Sequence, residues 1–143
     1  MEKLFADTNI FGIAVDRDDS RRESVWRTLE RVASGEVELH TAQIVVEEIN
    51  QNPHKPTKEK ELDLVKTLAT EICELDKKTE DLANKLLDST GLDVVDSQIV
   101  ALAISNGSIF WSGDRYILRD KIINEIKEVF KRQSEYTFKY KKE

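Results

Sequence analysis

The chain has 143 residues, of which 39% are hydrophobic and 35% charged, enough to bury a sizeable core and too balanced for a membrane protein or a disordered tail. Its one cysteine, Cys73, rules out a disulfide framework. A net charge of −6 has the wrong sign for holding nucleic acid by bulk attraction.

No apolar run approaches the roughly 18 residues of a membrane-spanning helix. Met1-Glu2-Lys3-Leu4 also lacks the layout of a secretion signal, so the cytoplasm is the expected compartment. Charge is uneven: from Lys127 onward the chain is +3 and the remainder −9, so a local cationic surface can sit on an acidic whole.

Residues 3–6, Lys-Leu-Phe-Ala, read as a first strand that delivers Asp7 at its carboxyl end. Ser20 and Glu23 have the spacing of a capping box, opening a helix with Val25, Trp26, Leu29 and Val32 inside and Gly35 at its end. Val37–His40 reads as a second strand. Thr41 is placed to cap a helix carrying Ile44, Val45, Glu48 and Ile49, which stops before Pro53.

Beyond the break at residues 52–56, Leu62, Val65, Leu68, Ala69 and Ile72 predict one amphipathic helix. Leu82, Ala83, Leu86 and Leu87 predict another, ended by Gly91. Asp93 can cap the next helix, which puts Asp96 in its first turn and Ile99, Val100, Ala103 and Ile104 on its buried side. Residues 108–111 read as a buried strand and 112–114 as a turn. Leu118, Ile122, Ile126 and Val129 predict a last long helix, and Tyr136, Phe138 and Tyr140 an alternating edge strand. Strands separated by helices imply crossovers and a mostly parallel sheet, an α/β fold. Residues 1–143 are expected to form one domain, with 119–143 its C-terminal helix and basic, aromatic tail.

In an open parallel sheet, ligands bind beyond the carboxyl ends of the strands. Asp7, Glu48, Asp96 and Asp114 all lie at or near predicted strand ends or helix starts, so they can approach one edge of the sheet. Two carboxylates about 6 Å apart repel by roughly 3 kcal/mol at an effective dielectric near 20. Four together must therefore take up protons or bind cations. Oxygen-only ligands suit Mg²⁺ or Mn²⁺, which leave room for phosphate oxygens. Bound ions also reverse the local charge, which lets an acidic protein hold RNA. Thr8 and Asn9 beside Asp7, and Ser112 before Asp114, can orient the carboxylates.

Phe5-Ala6-Asp7-Thr8-Asn9, Glu48 within Ile44–Ile49, Asp96-Ser97 ahead of Ile99–Ala103, and Ser112-Gly113-Asp114 together resemble the four motifs of the PIN domain, in order and spacing, over residues 3–118. The resemblance implies an αβα sandwich and a metal-dependent endoribonuclease. Asp7, Glu48, Asp96 and Asp114 would hold Mg²⁺ or Mn²⁺, with Thr8, Asn9 and Ser112 in support. RNA hydrolysis would leave a 5′-phosphate and a 3′-hydroxyl. Many small PIN proteins are VapC-type toxins with an antitoxin in the cleft, and many are homodimers, so both partners are expected. Two residues past Asp114, where PIN proteins often carry a further acid, stands Tyr116. That points to one ion held firmly and a second weakly.

Each residue also has an ordinary reading. Asp7-Thr8-Asn9 is a common turn, Asp96 suits a helix dipole, Glu47 competes with Glu48, and Asp114 can cap the last helix. His40 and His54 lack partners at ligand spacing. The arginines Arg17, Arg21, Arg22, Arg27 and Arg31 read as a solvated face, and the tail aromatics as an amphipathic strand. The second functional reading is a PIN-like scaffold that binds RNA or a protein without cutting. A receiver-like phosphate-binding domain is disfavoured, because Asp18-Asp19 comes too far past the first strand.

Overall fold

A strand whose successive residues are all apolar over its inner half must be covered on both faces there. The first strand, β1 (Glu2–Ala6), carries Leu4, Phe5 and Ala6, each at most 1% exposed. It lies at the centre of a five-stranded sheet with β2 (Val37–Ala42), β3 (Glu71–Cys73), β4 (Ile109–Ser112) and β5 (Lys139–Lys142). The order is β3-β2-β1-β4-β5 and every pairing is parallel. The computed structural model describes all of residues 1–143.

Seven helices complete the αβα architecture. Of these, α1 (Thr8–Val15), α2 (Arg22–Ala33) and α4 (Lys55–Leu68) pack together, and α3 (Gln43–Asn50) packs against α4. Helices α6 (Val94–Ser105) and α7 (Asp120–Val129) both pack on α5 (Lys77–Ser89). Ile99 to Ile104 are all buried, so α6 is covered nearly all round rather than along the one stripe the sequence suggested. No helix is long and apolar enough to cross a membrane.

From β1 the chain winds outward through β2 to β3, then crosses back to build β4 and β5 on the other side. The winding reverses between β1 and β4. Loops leaving these two neighbours diverge to opposite faces and open a crevice at their carboxyl ends. Asp7 and Ser112-Gly113-Asp114 are the residues delivered there.

Several elements differ from expectation for identifiable reasons. Helix α1 has no counterpart in the predicted elements: Ile10, Phe11, Ile13 and Ala14 are buried, so its short apolar stretch shows no amphipathic period. Ser20 does not cap α2. The N-cap residue is Arg21, whose backbone and guanidinium both donate to Asp19. Thr41 belongs to β2 and donates to the Ala6 carbonyl at 2.8 Å; Ala42 occupies the cap position of α3. Helix α4 stops at Leu68, because Thr70 N–H turns to the Leu39 carbonyl at 2.7 Å and starts the β3 pairing. Ile72 therefore lies in an edge strand. Leu118 is buried ahead of α7, and only Tyr140 of the tail aromatics falls within β5. Phe138 packs on Phe110 at 6.2 Å and Tyr136 on Phe130 at 5.7 Å between ring centroids.

Candidate functional site

Asp7 leaves β1 with its N–H donating to the Trp111 carbonyl at 2.9 Å, one step beyond the regular ladder. It is also the N-cap of α1: Oδ1 accepts the Thr8 N–H at 2.8 Å. Oδ2 accepts from Ser112 Oγ at 2.9 Å and from Asn9 Nδ2 at 3.0 Å. Its exposure is 4%. Burial outweighs these donors and pushes the carboxyl up to about 6, with the charges of Glu48 and Asp114 acting in the same direction.

Ser112 and Asn9 tie the two strand ends together. Ser112 Oγ accepts from the Asp114 N–H at 3.0 Å while donating to Asp7. Asn9 Oδ1 accepts from the Gly113 N–H at 2.6 Å. A Cβ at Gly113 would stand 2.6 Å from Ile13 Cδ1 and 3.0 Å from Arg21 Nη1, so a side chain there has to displace the tips of both.

The other three carboxylates arrive from three further elements. Glu48, half-buried on α3, accepts from Thr8 Oγ1 at 2.6 Å, whereas Glu47 is exposed. Asp114 Oδ1 accepts from the N–H groups of Tyr116 and Ile117 at 2.8 and 3.2 Å and so caps the turn before α7. Asp96, half-buried in the first turn of α6, donates its N–H to Asp93 Oδ1 at 2.8 Å, and its own carboxylate accepts no bond. Burial first, then the charges of Asp93, Asp7, Asp114 and Glu48, raise it to about 7.

All four acids thus face one another electrostatically at the crevice, with Thr8, Asn9 and Ser112 bound to them. No three of them bring oxygens within 4.8 Å of one another, a spacing met by a different group, His40, Glu71 and Cys73. Chemically the crevice offers hard, anionic oxygen donors and two carboxyls that hold protons near neutral pH. Such a set fits Mg²⁺ or Mn²⁺, whose retained waters span gaps between carboxylates.

Three contributors escaped the sequence reading. Asp93 exerts the largest charge effect on Asp96. Gly113 lets the β4 turn approach Ile13 closely, and Arg21 donates to the Gly113 carbonyl at 3.0 Å. The last two depend on contacts across about 90 residues, which no local pattern reports; the Asp93–Asp96 spacing was the only available signal. The arginine face is largely solvated, as expected: Arg17, Arg27 and Arg31 are exposed, the last two pairing with exposed Glu23 and Glu36, while Arg22 donates inward to the Ala14 carbonyl.

A family profile described as the PIN domain matches residues 4–127. No curated protein sequence matches the chain. Among solved structures, the chain is similar to VapBC2 from Rickettsia felis bound to a DNA fragment from their promoter, at 18% identity and a TM-score of 0.65, over 98% of both chains. It is also similar to FitAcB from Neisseria gonorrhoeae, at 14% identity and a TM-score of 0.63, over 87% of this chain and 93% of that one. A structure of FitAB bound to an IR36 DNA fragment matches at 12% identity and a TM-score of 0.61, over 97% and 94%. At these identities the likeness shows the fold.

Proposed function

The chain belongs to the PIN domain family, and from that premise we propose that it is a divalent-metal-dependent endoribonuclease whose site is Asp7, Glu48, Asp96 and Asp114. The observation that carries this reading is the gathering of four carboxylates at one crevice, held by Thr8, Asn9, Ser112 and the turn amides, where burial and neighbouring acids push Asp7 and Asp96 up to about 6 and 7. A crevice that resists its own ionisation is relieved by a cation. The donor set contains no nitrogen or sulfur, which selects Mg²⁺ or Mn²⁺.

A bound ion supplies Lewis acidity, lowering the pKa of water and offsetting charge on a scissile phosphate. The chain's own residues prepare the site. Asn9 and Ser112 occupy Asp7 Oδ2, which leaves the open acceptor capacity of that carboxylate on Oδ1. Thr8 fixes one oxygen of Glu48, and the turn amides fix Oδ1 of Asp114, so each acid presents its other oxygen in a set orientation. At the outer rim beside Gly113, Arg21 is held by Asp19 and the Gly113 carbonyl, so phosphate contact there falls to Arg115, among Asp16, Asp18 and Asp19. Cleavage on this reading leaves a 5′-phosphate and a 3′-hydroxyl.

The resemblance to VapBC2 and FitAB supports an antitoxin chain as the natural inhibitor; a homodimer as the assembly and the cytoplasm as the place of action are carried over from the family resemblance alone. The deciding experiment uses end-labelled RNA. Cleavage with Mg²⁺ or Mn²⁺, its loss with a chelator and its loss in Asp114→Asn are expected. Cleavage that persists in that variant refutes the assignment. RNA that is bound with either metal yet never cut favours the scaffold reading, to which Tyr116 in place of a further acid lends support.

A further inference from the structure

Away from the crevice, β2 and β3 bring a second set of ligating side chains together. His40 is paired in register with Glu71, and Ala42 with Cys73, so His40, Glu71 and Cys73 share one face of the sheet. One ligand atom from each lies within 4.8 Å of the others. This cluster stands near the far end of α6 from Asp96, beside Asn106; the ten residues between those two span about 15 Å of helix.

The histidine is held in the form a metal needs. Its side chain is buried, and Nε2 lies 3.0 Å from Glu38 Oε2. Nδ1 lies 3.0 Å from the amide nitrogen of Asn106, which can only donate. With the Asn106 amide as donor, the tautomer that satisfies both neighbours places the ring proton on Nε2 toward Glu38 and the lone pair on Nδ1. A carboxylate behind a histidine is the usual support for a metal-ligating imidazole. The lone pair points toward Asn106 and toward Glu71 Oε2 at 3.8 Å. Glu71, Cys73 and Asn106 line a cavity of about 340 Å³ that gives an ion and its water access.

We propose that His40 Nδ1, a Glu71 carboxylate oxygen and Cys73 Sγ form a second metal site, selective for Zn²⁺ or a similar borderline ion, which clamps the edge strand β3 to β2. Imidazole, carboxylate and thiolate are the zinc donor types, and three protein ligands leave a fourth position for water. Bonds of about 2.0–2.3 Å put tetrahedral ligands roughly 3.5 Å apart, so the cluster must contract by about 1 Å. Glu71 is exposed and free to swing inward. Asn106 must yield the lone pair, and it keeps its second amide proton on Ser108 Oγ. The site draws on none of the residues assigned to RNA cleavage.

The test is Co²⁺ titration of the reduced full chain, followed by optical absorption. A thiolate-to-cobalt charge-transfer band and intense tetrahedral d–d bands are expected at one equivalent. Zn²⁺ should bleach them, and Asp7→Asn should retain them, which separates this site from the crevice. Glu38→Gln should weaken Co²⁺ binding by about 10- to 100-fold through its effect on His40. Zn²⁺ should raise the melting temperature of the wild type more than that of Cys73→Ser, in which only the crevice is left to bind it. Absence of a thiolate band at saturating Co²⁺ overturns the proposal. So does a band whose strength and affinity are unchanged in Glu71→Gln or His40→Asn, because the cysteine would then bind metal without its neighbours.

Discussion

The crevice at β1 and β4 and the outer edge at β2 and β3 both gather ionisable side chains, but by opposite means. In the crevice, four acids come from four separate elements with no three oxygens within 4.8 Å of one another, and burial raises the carboxyls of two of them. At the edge, three ligands from two adjacent strands lie close together, and the imidazole is already fixed by Glu38. An oxygen-only set spread over four elements favours a hydrated hard ion. A compact nitrogen, oxygen and sulfur set favours a softer ion bound directly. The lesson is that sheet position decides the chemistry: diverging loops at the switch point bring distant acids together, whereas register within paired strands can only juxtapose near neighbours.

The sharpest way to break the comparison is Asp7→Asn. It removes the acid common to the whole crevice, and the three donors now aimed at Asp7 would face an amide with a single acceptor oxygen. RNA cleavage should fall by roughly 10²–10³-fold or more, as expected when several kcal/mol of metal-assisted stabilisation is lost. Single-turnover cleavage rates at fixed Mn²⁺ check this.

Stability against pH gives the next largest effect. Asp7 holds its proton more tightly in the folded chain than in the unfolded one, about 6 against 3.8. The native state thus binds more protons, and stability falls as pH rises through that window. The loss is about 3 kcal/mol for Asp7, and Asp96 carries the decline on toward 7. Urea denaturation in chelator from pH 4 to pH 8 should show this decline, with a shallower slope in Asp7→Asn. Mn²⁺ at a hundred times its Kd should restore about 2.7 kcal/mol at the high-pH end. An identical slope in both proteins would remove Asp7 as the source.

Ser112→Ala tests the support rather than the ligands. It strips one donor from Asp7 and the acceptor from the Asp114 N–H, so about 1–3 kcal/mol of stability should go. Metal affinity should weaken by about 10- to 100-fold, read by calorimetric titration with Mn²⁺. The smallest effect sharpens the contrast from the other side. Cys73→Ser should leave Mg²⁺-dependent RNA cleavage within about twofold of wild type, since the edge cluster stands near the opposite end of α6, about 15 Å along the helix from Asp96. A large loss would mean that the two regions are coupled.

Much of the architecture was legible because burial imposes patterns on short windows. The apolar run ahead of Asp7, the heptad-like stripe of α5 and the Asp93 cap of α6 each announce themselves within a few residues. Elements escaped where burial or edge position erased the pattern. Helix α1 is apolar over most of its surface, and β3 is three residues long at the rim of the sheet. Thr41 reads as a cap by type, yet its hydroxyl is claimed by the Ala6 carbonyl on the neighbouring strand.

The sequence alone determined which acids follow strands and begin helices, and therefore which could meet at one end of a parallel sheet. Only the tertiary structure decided how they meet. It set the burial that keeps Asp7 and Asp96 from ionising freely, the Asn9–Ser112 tie across more than a hundred residues and the register that sets His40 against Glu71. The reason is physical: helix and strand signals are written in local periodicity, whereas desolvation and charge repulsion depend on groups that only folding brings near.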